Sequence, residues 1–372
     1  MEYKGMKEYT DAGDADSEGK LKKANLVYVI VFVIIAILGF IVYNTGYSWI
    51  GKIIKTIYDQ PHTVGISCAI RLTTTLALWF AIHSLICICN PNLENSWQFK
   101  FHSNFLFVHI ICLIVLFVPF MFIPDSFFNV WFKICYFISG VYLVLQIIFL
   151  LAFFQDLNKK FYNEDKMWPI ITMTVVFGVG SLVAFGVSYY IFVKEGCSDN
   201  NIFISINMIL CIILFLASAF VEHGSIFTAS LISCYVAYLT VAAMMCEPDC
   251  NRLSSGSQGI AFSIIASLFT LAWAGYSAFS TSNQFNECNC CLKEGEEGFF
   301  SLSFFHSLFA MASIYVTMIV THWGKSEGNT AWATDRGTIA KWVNFAASWV
   351  VVLLYGWTLI APAVCKDREF DF

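Results

Sequence analysis

Residues 128–155 read FNVWFKICYFISGVYLVLQIIFLLAFFQ, a stretch whose only charge is Lys133 and whose mid-run amide is Gln146. A bilayer core about 30 Å thick is spanned by roughly 20 apolar residues in a helix. The run exceeds that need, which predicts a strongly tilted helix. It is continuously apolar and does not alternate with period two, so it is not a barrel strand. Working outward, nine more runs of the same kind occupy 25–43, 64–89, 102–123, 168–193, 202–221, 226–245, 258–281, 299–323 and 341–363. Short connections join them, leaving no room for an inserted soluble domain. The expectation is an all-α integral membrane protein of about ten transmembrane helices. Composition agrees: the 372 residues are 58% hydrophobic and 13% charged, against about 25% charged in soluble domains. A net charge of −5 with 21 scattered basic residues also argues against a nucleic-acid partner.

Orientation follows from Lys and Arg. With ten spans both termini share a side, and twelve basic residues fall there, including Lys20, Lys22 and Lys23, against seven on the other. Both termini are therefore expected in the cytosol. Residues 1–23 read as a disordered acidic tail with no cleavable leader, 24–365 as the transmembrane domain, and 366–372 as a short cytosolic tail. The segment 47–60, with Trp49, Ile50, Ile53, Ile54 and Ile57 set against Lys52, Lys55 and Asp59, predicts a helix lying on the membrane surface. Val221 to Ser225 reads as a tight turn between two spans. Among the cysteines, Cys197, Cys246 and Cys250 fall at the outer connections, where an oxidising compartment permits a disulfide; Cys197 with Cys250 is the preferred pair and Cys246 the competing partner. Cys288, Cys290 and Cys291 form an inner C-x-C-C cluster that lacks zinc spacing, so acylation is the better reading and no metal is expected.

Small residues four apart, Gly180, Ala184 and Ser188 on the fifth span and Ala266 to Ser282 on the eighth, predict close helix packing. Polar groups inside hydrocarbon are costly and therefore informative. Arg71 lies several residues into the second span, where it is expected to reach the outer rim. Gln146 lies mid-span on the long helix. Glu222 and His223 fall in the inner turn, and His306, early in the ninth span, reads as a hydrogen-bonded interfacial histidine. No span carries several acids, and no phosphate-cradling loop, H-E-x-x-H or paired catalytic carboxylates occur. An ion-coupled pump, ATPase, metalloprotease or kinase is thus disfavoured, no enzymatic activity is expected, and no cofactor is expected.

Strings distributed along the chain resemble the serine incorporator (Serinc) family. They include Ser348 to Pro362 in the last span, Phe305-His306 with Ala312-Ser313, Tyr315 and Thr321 in the ninth, His102 and Phe105, Phe122-Ile123-Pro124, Cys197 followed by Ser205 and Asn207, Tyr238-Leu239-Thr240, and Cys250-Asn251. The chain departs from the family where Ala152 replaces an acidic residue, Gln155 a histidine and His109 a lysine, which counts against any mechanism relying on that acid. The resemblance implies two helical subdomains crossed by a long diagonal fourth helix. Plasma membrane, Golgi and endosome are equally compatible with these spans. The resemblance also implies ATP-independent scrambling of phospholipids between leaflets. A headgroup crossing hydrocarbon must lose its hydration at several kcal/mol per unsatisfied group, and a polar groove would lower that barrier. The groove candidates are Arg71, Gln146, Ser205, Asn207, Tyr238 and Thr240, for which interhelical hydrogen bonding is an equal alternative. The competing functions are a serine carrier or scaffold for phosphatidylserine and sphingolipid synthesis, and a lipid-organising homo-oligomer without transport. The expected partners are accordingly membrane phospholipids, serine, or further copies of the chain.

Overall fold

The computed structural model describes residues 19–43, 64–88, 97–221, 224–247, 250–252, 301–321, 323 and 332–364. The described residues form the helices α1 (Gly19–Tyr43), α2 (Val64–Ile86), α3 (Trp97–Asn104), α4 (Leu106–Phe122), α5 (Asp125–Asn163), α6 (Met167–Phe192), α7 (Ser198–Phe220), α8 (Ile226–Met245), α9 (Ser301–Val320) and α10 (Trp332–Val364). Eight of them are long and apolar enough to cross a membrane, or nine if α3 and α4 together count as one span. The chain is an all-α multi-pass membrane protein. The expected span 258–281, the surface helix 47–60, the turn residues Glu222 and His223, and Cys288, Cys290 and Cys291 lie outside the described residues.

Three expectations are corrected. The run 102–123 is not one straight span: the chain bends by 77° between α3 and α4. Phe105 sits at the break with φ −107° and ψ 30°, a dihedral pair outside the helical well. The long helix is longer than its apolar run, because α5 continues through QDLNKKFYN to Asn163. Its 39 residues measure about 58 Å at a rise of 1.5 Å per residue. On α6 the packing register is offset from Gly180. A side chain at Gly180 would meet open space, whereas one at Gly178 would touch the Phe215 ring at 3.4 Å. The buried stripe of that helix is Ser181, Phe185, Ser188 and Phe192.

By contact the chain divides into two units: the first holds residues 1–142 and 267–321, the second 143–266 and 322–372. Helix α5 contributes residues to both. In the first unit α2 packs chiefly on α9 and then on α4. In the second, α8 is the central helix, flanked by α6, α10 and α7. Its core joins Ile232, Val236, Ala243 and Met244 of α8 to Phe185, Ile204, Phe345, Val351 and Tyr355. The outward apolar side chains of α4, α6 and α7, such as Ile114, Val115, Val176, Val183, Ile209 and Ile213, are the surface expected to face lipid.

The turn before α8 shows why a glycine is needed there. A side chain at Gly224 would come within 2.3 Å of the Ser218 carbonyl oxygen. Gly224 also donates its N–H to the Val221 carbonyl, and Ser225 then caps α8 by accepting from the Thr228 N–H. The tight return read from the sequence is built by these three residues.

Candidate functional site

Polar side chains inside the first unit converge on a box of histidines. His83 of α2, His102 of α3, His109 of α4 and His306 of α9 are all buried, together with Asn25 and Tyr28 of α1. The 77° bend lets His102 and His109, on two different helices, face the same Tyr28 ring, whose centroid is 4.8 Å from His102 and 6.2 Å from His109. His102 and His306 meet at 3.0 Å between Nδ1 and Nε2, and His102 Nε2 lies 2.9 Å from Asn25 Oδ1. Tyr28 holds His109 Nδ1 at 2.8 Å through its hydroxyl. His83 Nδ1 donates to the Trp79 carbonyl, and Trp79 Nε1 donates to that of His109.

These partners determine the tautomers. An amide oxygen only accepts, so His102 Nε2 carries a proton and its Nδ1 takes the His306 Nε2 proton. With one proton per ring, His306 Nδ1 and His83 Nε2 are then bare lone pairs. Neither has a hydrogen-bond partner, and His109 Nε2 also lacks one. Among the described residues no group of His, Cys, Asp or Glu is arranged to hold a metal ion. His306 is hydrogen-bonded, as expected, and its fully buried side chain helps tie α1, α3 and α9 together.

Arg71 is likewise internal. It is 1% exposed, and it donates from Nε to the Phe120 carbonyl at 3.1 Å and from Nη2 to that of Ile123 at 2.7 Å. It also bonds Ser67 and lies over the Phe128 ring at 4.5 Å. The last turn of α4 has carbonyls with no intrahelical donor and a negative dipole end, so a buried guanidinium there acts as a C-cap. This replaces the expectation that Arg71 reaches the rim. Hydroxyl pairs fasten α2 to α9: Thr73 to Thr317 at 2.7 Å, and Ser84 to Ser303 and Ser307. Beside them an apolar cleft of about 550 Å³ is lined by Leu78, Leu85, Phe127, Trp131 and Ile314.

The second unit uses amides and hydroxyls instead. Asn207 Nδ2 donates to Thr240 Oγ1 at 2.7 Å and to Ser348 Oγ at 3.1 Å, while Trp349 Nε1 donates to Asn207 Oδ1 at 3.0 Å. The structure thus brings together two groove candidates, Asn207 and Thr240, as a knot joining α7, α8 and α10. Ser205 stands apart from it, bonded to the Tyr189 hydroxyl at 2.7 Å and to the Asn201 carbonyl. Tyr238 is half-buried beside the Tyr235 ring, and Gln146 is buried at 3% exposure.

At the opposite end of α8 from its Ser225 cap, Lys341 lies buried with its ammonium 2.6 Å from Glu247 Oε1, 3.2 Å from Asn200 Oδ1 and 5.5 Å from the Phe203 ring centroid. Cys197 and Cys250 are disulfide-bonded across the same end, and Cys246, the other candidate partner, is a free thiol. Burial, followed by the adjacent Glu247 carboxylate, pushes the Cys246 thiol up to about 12.

Sequence reasoning missed Asn25, Tyr28, His83 and Lys341 as site residues. The available signal was that five of the seven histidines, His83, His102, His109, His306 and His322, fall within the apolar runs, where polar side chains need partners.

A model of the serine incorporator (Serinc) family matches residues 17–290 and 287–368. The chain is similar to serine incorporator 3 of Bos taurus, at 26% identity over 376 residues covering 81% of this chain and 79% of the relative. It is similar to a probable serine incorporator of Nematostella vectensis, at 27% identity with 83% and 81% covered. With a probable serine incorporator of Dictyostelium discoideum it shares 27% identity, covering 95% of this chain and 96% of the relative. The family model matches nearly the whole chain, the relatives match over most of its length, and the chain belongs to the serine incorporator family.

Proposed function

We propose that this protein moves phospholipids passively between the two leaflets, without ATP. The observation that carries the reading is α5, whose 39 residues exceed any perpendicular crossing and whose Gln146 places an amide near the middle of its length. The proposal includes the diagonal course of this helix that the family resemblance implies. Further support comes from hydroxyl groups on the partly open surfaces of the second unit: the Tyr189 and Ser205 pair and Tyr238. Such groups give a dehydrating headgroup hydrogen-bond partners in place of water, while the acyl chains stay in the bilayer. The Asn207 and Thr240 knot is assigned a holding role behind that surface, because both side chains are fully buried.

The test is reconstitution of purified protein into liposomes containing fluorescent phospholipid. Scrambling exposes both leaflets' probes to a membrane-impermeant quencher; protection of one leaflet's probe would end the proposal. The relatives' names speak of serine incorporation, which favours a second reading, serine handling for lipid synthesis. Serine binding to purified protein in the absence of lipid movement would favour it.

A further inference from the structure

The polar end of α5 encloses a cavity that no groove candidate touches. It has a volume of about 280 Å³, and its walls include Asp156, Lys159 and Tyr162 of α5, Ser225 and Thr228 at the start of α8, and Thr358 of α10. In a chain with so few charged residues, a cation and an anion one helical turn apart at the mouth of a hydroxyl-lined cavity is an unusual concentration of polar groups.

Two independent features at its wall point to an anionic ligand. The first is the N-terminus of α8, a 20-residue helix, whose first-turn N–H groups and dipole favour negative charge. Tyr355 fixes that terminus: its hydroxyl donates to the Ser225 carbonyl at 3.0 Å and meets Ser218 Oγ at 2.9 Å. The Phe161 ring packs edge-on against Phe227 behind it. The second is the Thr228 hydroxyl. Thr228 is 1% exposed, lines the cavity, and its Oγ1 has no hydrogen-bond partner. A buried hydroxyl without a partner costs about as much as a lost hydrogen bond, and an oxygen-rich ligand at the helix terminus would remove that cost.

We infer that this cavity binds a small zwitterionic group, a phosphate or carboxylate joined to an ammonium. The anion sits toward Thr228, the α8 terminus and Lys159, and the ammonium toward Asp156. The same chemistry is offered by an aminophospholipid headgroup and by a free soluble zwitterion. The inference rests on the lipid-handling reading in one respect: that reading makes the cavity the docking point for headgroups at one end of their passage.

The experiment measures equilibrium binding to the purified full chain. One arm uses fluorescent phosphatidylserine or phosphatidylethanolamine in phosphatidylcholine nanodiscs. The other uses glycerophosphoserine, glycerophosphoethanolamine or inorganic phosphate in detergent. Thr228→Val keeps the side-chain shape and removes a buried hydroxyl that makes no internal bond, so without ligand its Tm should equal or exceed that of the parent. It and Lys159→Gln should each weaken binding about tenfold, the loss of one hydrogen bond or contact to a charged oxygen. Variant-sensitive binding in the nanodisc arm alone assigns a lipid headgroup, and in the detergent arm a free solute; either supports the cavity. Equal affinity in all three proteins, or no binding of any probe, overturns it. If binding is variant-sensitive but the liposomes show no scrambling, the cavity stands and the scrambling proposal falls.

Discussion

The two units solve the same problem with different chemistry. Both must keep polar side chains inside a bilayer, where unsatisfied groups are costly. The second unit satisfies most of them with neutral amides, hydroxyls and one ion pair: Asn207 donates twice and accepts from Trp349, and Lys341 pairs with Glu247. Among its described residues it leaves only the buried Thr228 and Ser233 hydroxyls without a partner. The first unit packs imidazoles into one box and leaves three ring nitrogens without partners. A satisfied network chiefly fixes the helices it joins, whereas unpartnered lone pairs stay available to water or a proton. The second unit therefore reads as the better determined of the two, and the first as the one whose interior responds to its contents.

Substitutions that break this contrast differ in size. The largest effect is expected from His306→Ala, which opens a cavity and leaves His102 Nδ1 without its donor, at about 4 kcal/mol. Thermal unfolding of the purified protein should rank it as the least stable variant. Glu247→Ala leaves the buried Lys341 ammonium with Asn200 as its remaining oxygen partner, at about 3 kcal/mol, while Lys341→Met should cost about 1 kcal/mol because the partly exposed carboxylate can hydrate. Equal losses for the two would show that Lys341 is more open than the structure has it. Asn207→Ala removes three interhelical hydrogen bonds, each worth about 0.6 kcal/mol in membrane proteins, and should cost about 2 kcal/mol. A loss as large as that of His306→Ala would erase the distinction between the units.

The smallest effect is chemical. The folded Cys246 thiol ionises near 12 and the unfolded thiol near 9. At pH 7 both are neutral, and the linked stability is lost only as pH rises through the lower value. Maleimide labelling of native protein at Cys246 should therefore be slow at neutral pH and speed up on unfolding. Rapid native labelling would show the half-buried thiol to be more open than the structure has it.

How much of this was legible in the sequence depended on whether the deciding interaction was local. Apolar run length is local, so the spans and the excess length of α5 could be read directly. The break at Phe105 was not read, because phenylalanine itself carries no breaking signal, although His102, Ser103 and Asn104 just before it are polar. The bend turns the flanking His102 and His109 onto partners supplied by segments distant in sequence, Asn25, Tyr28 and His306. His102 and His306 are 204 residues apart, and no spacing rule connects them. Arg71 was visible as a costly charge, but its targets, the carbonyls of Phe120 and Ile123, are backbone atoms without a sequence signature. The Cys197 and Cys250 pairing was one of two open alternatives. The Asn207 and Thr240 contact was anticipated only as a list of polar candidates, with Ser348 and Trp349 noted in a family string and not as partners.

The bend at Phe105 has one more consequence. It leaves α4 with 17 residues, about 26 Å of helix where the hydrocarbon core measures about 30 Å. Its exposed side chains, Phe107, Val108, Ile111, Ile114, Val115 and Val118, are apolar along that whole short length. A helix too short for its bilayer draws the two lipid surfaces toward each other around it. The membrane beside α4 is thus expected to be locally thinned.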